Sequence, residues 1–179
     1  MLIGCTKKLQ DEIGITVESG YEEKELFCWS ANLVKINRRK AVVVVNDSNR
    51  FGFVLFGLKA KDFKKIDELI LQGIRRCLKD ENIKEEIIDQ YISDANSICF
   101  SKTKGPKYVS RLNKACECIC YFEELLDLEN VYQLKATRKM NTDLVKIDKS
   151  DYENPYVLVL KDFKQTYGDN IVSCDDVNI

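Results

Sequence analysis

The order of apolar and polar positions predicts a chain that starts as sheet, turns to helix in its middle and closes on a helix. Leu2-Ile3-Gly4-Cys5 is a short apolar run that predicts a strand. Thr6 can cap a helix that carries Leu9 and Ile13 on one face and stops at Gly14. Residues 18–25 hold four glutamates and a Ser-Gly pair and read as a solvated loop. Phe27, Trp29, Ala31 and Leu33 then alternate with Cys28, Ser30 and Asn32, the period of a strand. Ala41-Val42-Val43-Val44-Val45 is a continuous apolar run of β-formers, the pattern of a strand covered on both faces. Phe51 to Phe56 forms a third strand closed by Gly57. The short polar links at Asn37-Arg38-Arg39-Lys40 and Asn46-Asp47-Ser48-Asn49 join the three as an antiparallel meander over about residues 27–57.

The period then changes. Phe63, Ile66, Ile70, Ile74 and Cys77 recur at three and four, which predicts a helix stripe. A shorter helix follows over 83–92, a return to the sheet over 97–102, and a long helix over 108–128 on Val109, Leu112, Cys116, Ile119 and Leu126. Asn154-Pro155 reads as a cap with proline at the first helical position. Tyr156, Leu160, Phe163 and Tyr167 keep helical spacing up to Gly168, with Val157 and Val159 leaving a strand open there. Residues 170–179 are expected to fray. The whole predicts one α+β domain over residues 1–179, a mainly antiparallel sheet with edge strands, packed by several helices.

Composition removes whole classes of chemistry. The 179 residues contain no histidine, so no Ser-His-Asp or Cys-His relay can form within them. Neither a P-loop nor G-x-G-x-x-G occurs. With 28 Lys and Arg against 29 Asp and Glu, the charge of −1 excludes a general basic coat but leaves room for a local basic face. Eight cysteines, several inside apolar periodic segments, read as reduced interior fillers. With Met1 to Cys5 running straight into Thr6-Lys7-Lys8, the expected location is a reducing cytoplasm. No apolar run approaches the ~20 residues that span a bilayer, so no membrane partner is expected.

Four features could carry chemistry. Cys116-Glu117-Cys118-Ile119-Cys120 places three thiols on one helix, where ~100° per residue turns Cys118 away from the other two. They read as packing; no metal and no cofactor is expected. Asp47 with Asn46 and Asn49 could hold a metal, but turn-forming residues explain the run more simply. Trp29 sits in the apolar phase of its strand and reads as core. The fourth feature is basic. Arg38, Arg39 and Lys40 form a cationic turn, and Lys102, Lys104, Lys107, Arg111 and Lys114 lie in a stretch (95–116) without acidic residues. Beside a sheet bearing Phe51 and Phe53, such a face would suit phosphates and stacked bases. Five acidic groups in residues 117–129 could instead neutralise it.

Cys5-Thr6-Lys7-Lys8-Leu9, Trp29-Ser30-Ala31-Asn32-Leu33, Arg38-Arg39-Lys40, Asn46-Asp47 before Phe51, and Tyr152-Glu153-Asn154-Pro155 together resemble an uncharacterised bacterial family, a domain of unknown function. The resemblance implies a compact α+β domain, mostly in small stand-alone proteins. It brings no activity and no catalytic residue. It implies that Trp29, Asn32, Arg38, Arg39, Lys40, Asn46 and Asp47 share a neighbourhood. Strand length argues otherwise, because 38–40 and 46–47 would stand at opposite ends of one strand, ~20 Å apart. The expected function is therefore a non-enzymatic module engaging a protein partner through a strand edge and the basic turn. The alternatives are RNA or single-stranded nucleic-acid binding through the turn and the 102–114 stretch, or a His-free carboxylate–metal enzyme. The candidate surface is Arg38, Arg39, Lys40, Asn46, Asp47, Lys102, Lys104, Lys107 and Arg111.

Overall fold

A computed structural model describes residues 1–17, 22–95, 97–147 and 151–173. In chain order these form β1 (Leu2–Cys5), α1 (Lys7–Ile13), a 3₁₀ turn (Glu25–Phe27), β2 (Cys28–Ile36), β3 (Arg39–Asn46), β4 (Gly52–Leu58), α2 (Ala60–Phe63), α3 (Ile66–Asp80) and α4 (Glu85–Asp94). Then come β5 (Cys99–Lys102), α5 (Pro106–Tyr121), a second 3₁₀ turn (Glu123–Leu125), α6 (Leu134–Thr142), β6 (Val145–Lys146), β7 (Tyr152–Glu153) and α7 (Pro155–Tyr167). The α+β class stands, and the β2–β3–β4 meander is antiparallel as predicted. The sheet is nevertheless mixed. Its order is β4-β3-β2-β1-β5, and β1 runs parallel to both β2 and β5. The cause lies in the connections: β1 reaches β2 through α1, and the meander reaches β5 through α2 to α4. Helical crossovers of this kind return the chain in the same direction.

The β2–β3 hairpin turns on Asn37 and Arg38, both left-handed at φ 48° and 65°. Ile36 pairs directly with Arg39, so the loop is two residues long. Along β3 the side chains alternate between two cores. Val42 and Val44 join Trp29, Ala31, Phe53 and Leu55 beneath α3, α4 and α7. Ala41, Val43 and Val45 join Val54 and Phe56 beneath α5 and α6. The Val run is therefore buried on both faces, as its sequence predicts. Trp29 is core: its indole N–H donates to the Tyr91 hydroxyl at 3.0 Å, and that hydroxyl donates to the Leu26 carbonyl at 2.7 Å.

Helix α6 has no apolar stripe to announce it. Its buried residues are Ala136, Thr137, Met140 and Asn141, and three of these close the outer edge of β4. The Asn141 side-chain oxygen accepts from the Gly52 N–H at 2.9 Å, and its amide donates to the Gly52 carbonyl at 2.8 Å. Thr137 accepts from the Val54 N–H at 3.2 Å, and Met140 packs in the second core. An edge that would otherwise offer free backbone groups is thereby satisfied.

Other boundaries move. The stripe over 63–77 is split at Lys64-Lys65 into α2 and α3, and the long helix ends at Tyr121 rather than 128. Thr6 stands at the N-cap of α1, but its hydroxyl donates to the Asn32 side-chain oxygen at 2.8 Å instead of capping the helix. Of the tail expected to fray, residues 170–173 are held: Ile171 is buried and Val172 bridges Ile83, while 174–179 lie outside the described residues. Residues 18–21 of the expected loop also lie outside them, and Glu25 opens a 3₁₀ turn.

Candidate basic cleft on α5

The residues of the predicted surface separate into three places. Arg38 and Arg39 form one end of the meander, exposed beside the turn. Lys40, next to them, is engaged: its ammonium pairs with Glu12 at 2.5 Å and lies 5.4 Å from the Phe63 ring centre. Asn46 and Asp47 stand at the other end of β3, opposite Trp29, so the two groups do not share a neighbourhood. Lys102 ends β5 on the sheet edge, beside Cys5.

Asn46 and Asp47 build a turn. The Asn46 side-chain oxygen accepts from the Ser48 and Asn49 N–H groups, and its amide donates to the Leu26 carbonyl at 2.9 Å. The buried Asp47 carboxylate accepts from the Ser30 hydroxyl at 2.7 Å. Burial pushes this carboxyl above its ordinary range, against the pull of Ser30 and Lys104. Among the described residues no group of three or more Cys, Asp or Glu is placed to hold a metal ion.

From this turn the site is built by α5. The 103–105 segment crosses the sheet over Gly4, where a Cβ would lie 3.2 Å from the Thr103 Cα. Gly105 turns the chain at φ 154°, a conformation essentially confined to glycine, and Pro106 opens the helix. Leu112, Cys116 and Ile119 bury one face of α5 on the sheet. Lys107, Arg111 and Lys114, at i, i+4 and i+7, therefore share an outer face beside it. Arg111 is fixed there by donating to the Asp47 carbonyl at 2.8 Å. Lys104 donates to the Cys28 sulfur at 3.0 Å. Burial pushes that thiol up while the ammonium pulls it down. The Tyr108 hydroxyl donates to Glu25, a contact that raises its pKa to about 12. Around its ring stand Lys107 at 5.3 Å, Arg111 at 5.9 Å and Lys104 at 6.0 Å.

Two cations that sequence reasoning missed complete the site. Arg50 comes from the left-handed last position of the β3–β4 turn, at φ 64°, and Lys146 from β6. With Lys107, Ser110, Arg111, Lys114 and Ile147 they line a cleft of about 410 Å³, and no carboxylate stands among the described residues of its walls. Burial, then the charge of Arg111, hold the Arg50 guanidinium below its usual pKa. Several cations elsewhere are ion-paired: Lys7 with Asp11, Arg75 with Glu85 and Asp89, Lys79 with Glu85, Lys139 with Asp143, Lys161 with Glu153. None of the five cleft cations forms such a pair among the described residues. The i, i+4, i+7 spacing on α5 was the available sequence signal; nothing local announced Arg50 or Lys146.

Phe51 and Phe53, expected to stack bases, are fully buried in the core on the opposite face of the sheet from α5. The thiols of α5 diverge in setting. Cys116 lies in the second core and burial pushes it up to about 12, Cys118 is half-buried, and Cys120 is exposed. No helix of the described residues is long and apolar enough to cross a membrane.

Among known protein families, the model described as Domain of unknown function (DUF6933) matches residues 2–158. No curated protein and no solved structure matches the chain.

Proposed function

The chain belongs to the DUF6933 family, a domain of unknown function, and from its own geometry we propose that it is a non-enzymatic module that binds single-stranded nucleic acid, RNA or DNA, through phosphates seated in the α5 cleft. One observation carries this reading: Arg50, Lys107, Arg111, Lys114 and Lys146 converge on one cleft, none of them is ion-paired with a described residue, and no carboxylate stands among the described residues of its walls. Convergent like charges destabilise a fold, and a polyanion that enters releases counterions and relieves the repulsion. From Lys107 to Lys114 the α5 face spans only ~10 Å, so the cleft suits a few successive phosphates of a flexible strand rather than the long rail of a duplex.

The test is fluorescence anisotropy with labelled random-sequence RNA and DNA oligonucleotides at low salt. Binding is expected for the wild type and strong weakening for the double variant K107Q/K114Q. Both side chains are exposed, so the fold should persist. No binding by the wild type at low salt removes the reading.

A protein partner is the second reading, and one feature favours it. Strand β5 ends the sheet and pairs with β1 alone among the described strands, leaving an edge to which another strand can add. A partner held through that edge and apolar contacts would be captured equally at low and high salt, and equally by K107Q/K114Q.

A further inference from the structure

The basic cleft does not end at its charges. Arg50, Arg111, Lys114 and Lys146 also border a second hollow of about 290 Å³, whose walls are of another kind. Val45, Ala115, Met140, Leu144, Tyr152 and Pro155 supply a mostly apolar lining drawn from β3, α5, the end of α6, the β6–β7 hairpin and the start of α7, and one carboxylate, Asp143, also borders it, ion-paired with Lys139 at 2.6 Å. At its rim Leu144 is 67% exposed and Tyr152 58% exposed. Large apolar side chains gain most when covered, and these two face solvent beside a charged mouth. A charged mouth joined to an apolar slot with an aromatic rim matches a ligand with an anionic part and a flat apolar part linked covalently. A nucleotide unit of a single strand has this form.

We propose that the slot takes one unstacked base, while the phosphates flanking it sit in the cleft. The inference rests on the nucleic-acid reading above and adds to it the part of the ligand that is recognised. The Tyr152 ring offers a surface on which a base can stack, and Leu144 and Ala115 enclose its edges. A base held in a duplex cannot enter without leaving its stack, so the site discriminates against duplexes. A bare phosphate chain fills the cleft and leaves the slot empty.

The experiment uses the full chain and three probes of equal length: a single-stranded DNA oligonucleotide, the same strand with abasic sites throughout its centre, which carries the same charge, and its duplex, which carries twice as much. The base-bearing strand is expected to bind about tenfold more tightly than the abasic strand, the scale of one base–aromatic stack. Y152A is expected to remove most of that difference while leaving abasic binding unchanged. L144A acts in the same direction more weakly. Equal affinity for base-bearing and abasic strands, with Y152A binding like the wild type, overturns the slot assignment and leaves the phosphate cleft standing. Failure of every probe to bind overturns both. The abasic comparison is made on the unaltered protein, so it decides the matter even if Y152A folds poorly.

Discussion

Replacing Asn141 with leucine tests how α6 is attached to the sheet. The side chain is fully buried and bonds both the N–H and the carbonyl of Gly52, at 2.9 and 2.8 Å. Leucine has a similar size but bonds neither, and each orphaned buried group costs roughly 1–3 kcal/mol. Some of that is offset by added apolar contact, so about 2–4 kcal/mol should be lost from a total of order 5–15 kcal/mol. For a chain of this length that is a fall in Tm of roughly 5–15 °C. Aspartate at the same position adds a sign. Its ionised form accepts from the Gly52 N–H but opposes the carbonyl, so the native state favours the protonated acid and its pKa lies above the unfolded value near 3.9. The stability of N141D relative to wild type should be greatest below about pH 4 and decline as pH rises through the native pKa. Urea melts of the three proteins between pH 3.5 and 7.5 give both quantities. A loss under about 1 kcal/mol in N141L, or an N141D deficit that does not shrink on acidification, would refute this account of the edge. The slot depends on the same attachment, because Leu144 and Val145 directly follow α6.

Y91F should orphan the Trp29 indole N–H, while the Leu26 carbonyl keeps the Asn46 amide as a donor, and should lose roughly 1–3 kcal/mol in a denaturant melt followed by the emission of Trp29, the only tryptophan. Native-state alkylation at pH 8, read by peptide mass spectrometry, should label exposed Cys99 and Cys120 first. Cys5 and Cys116, pushed from 9.0 to about 12, should react ~10³-fold more slowly than a thiol of ordinary pKa, and labelling of either at the rate of Cys120 would contradict their burial. D47N should gain stability relative to wild type as pH rises above the ordinary carboxylate value of 3.8, because ionising a carboxyl whose native pKa is raised works against folding. A constant difference between pH 3 and 7 would show that Asp47 titrates normally.

The meander was legible because Trp29, Ala31 and Leu33 alternate and the Val42–Val45 run can only be a doubly covered strand. What local pattern cannot specify is a partner distant in sequence. That is why β1 and β5, brought beside each other by helical crossovers, turned a mainly antiparallel expectation into a mixed sheet. Helix α6 was missed because Thr137 and Asn141 are buried for their hydrogen bonds rather than their oiliness, and leave no stripe. At the site, Lys107 and Arg111 were visible as part of a basic stretch, and helix geometry sets Lys114 beside them. Arg50 and Lys146 arrive from a turn and a hairpin that only tertiary packing delivers. Alternation marked Phe51 and Phe53 as strand residues without telling which face they occupy, and they lie on the side away from the cations.

The salt dependence of single-strand affinity tests the central claim most directly. If the five cations of the cleft each displace one counterion on a single strand, log K should fall with log salt at a slope of magnitude up to ~3.5, at ~0.7 per contact. K107Q/K114Q should lower that magnitude by ~1.4. A slope near zero, or one that the double variant leaves unchanged, would mean that phosphates do not sit on α5.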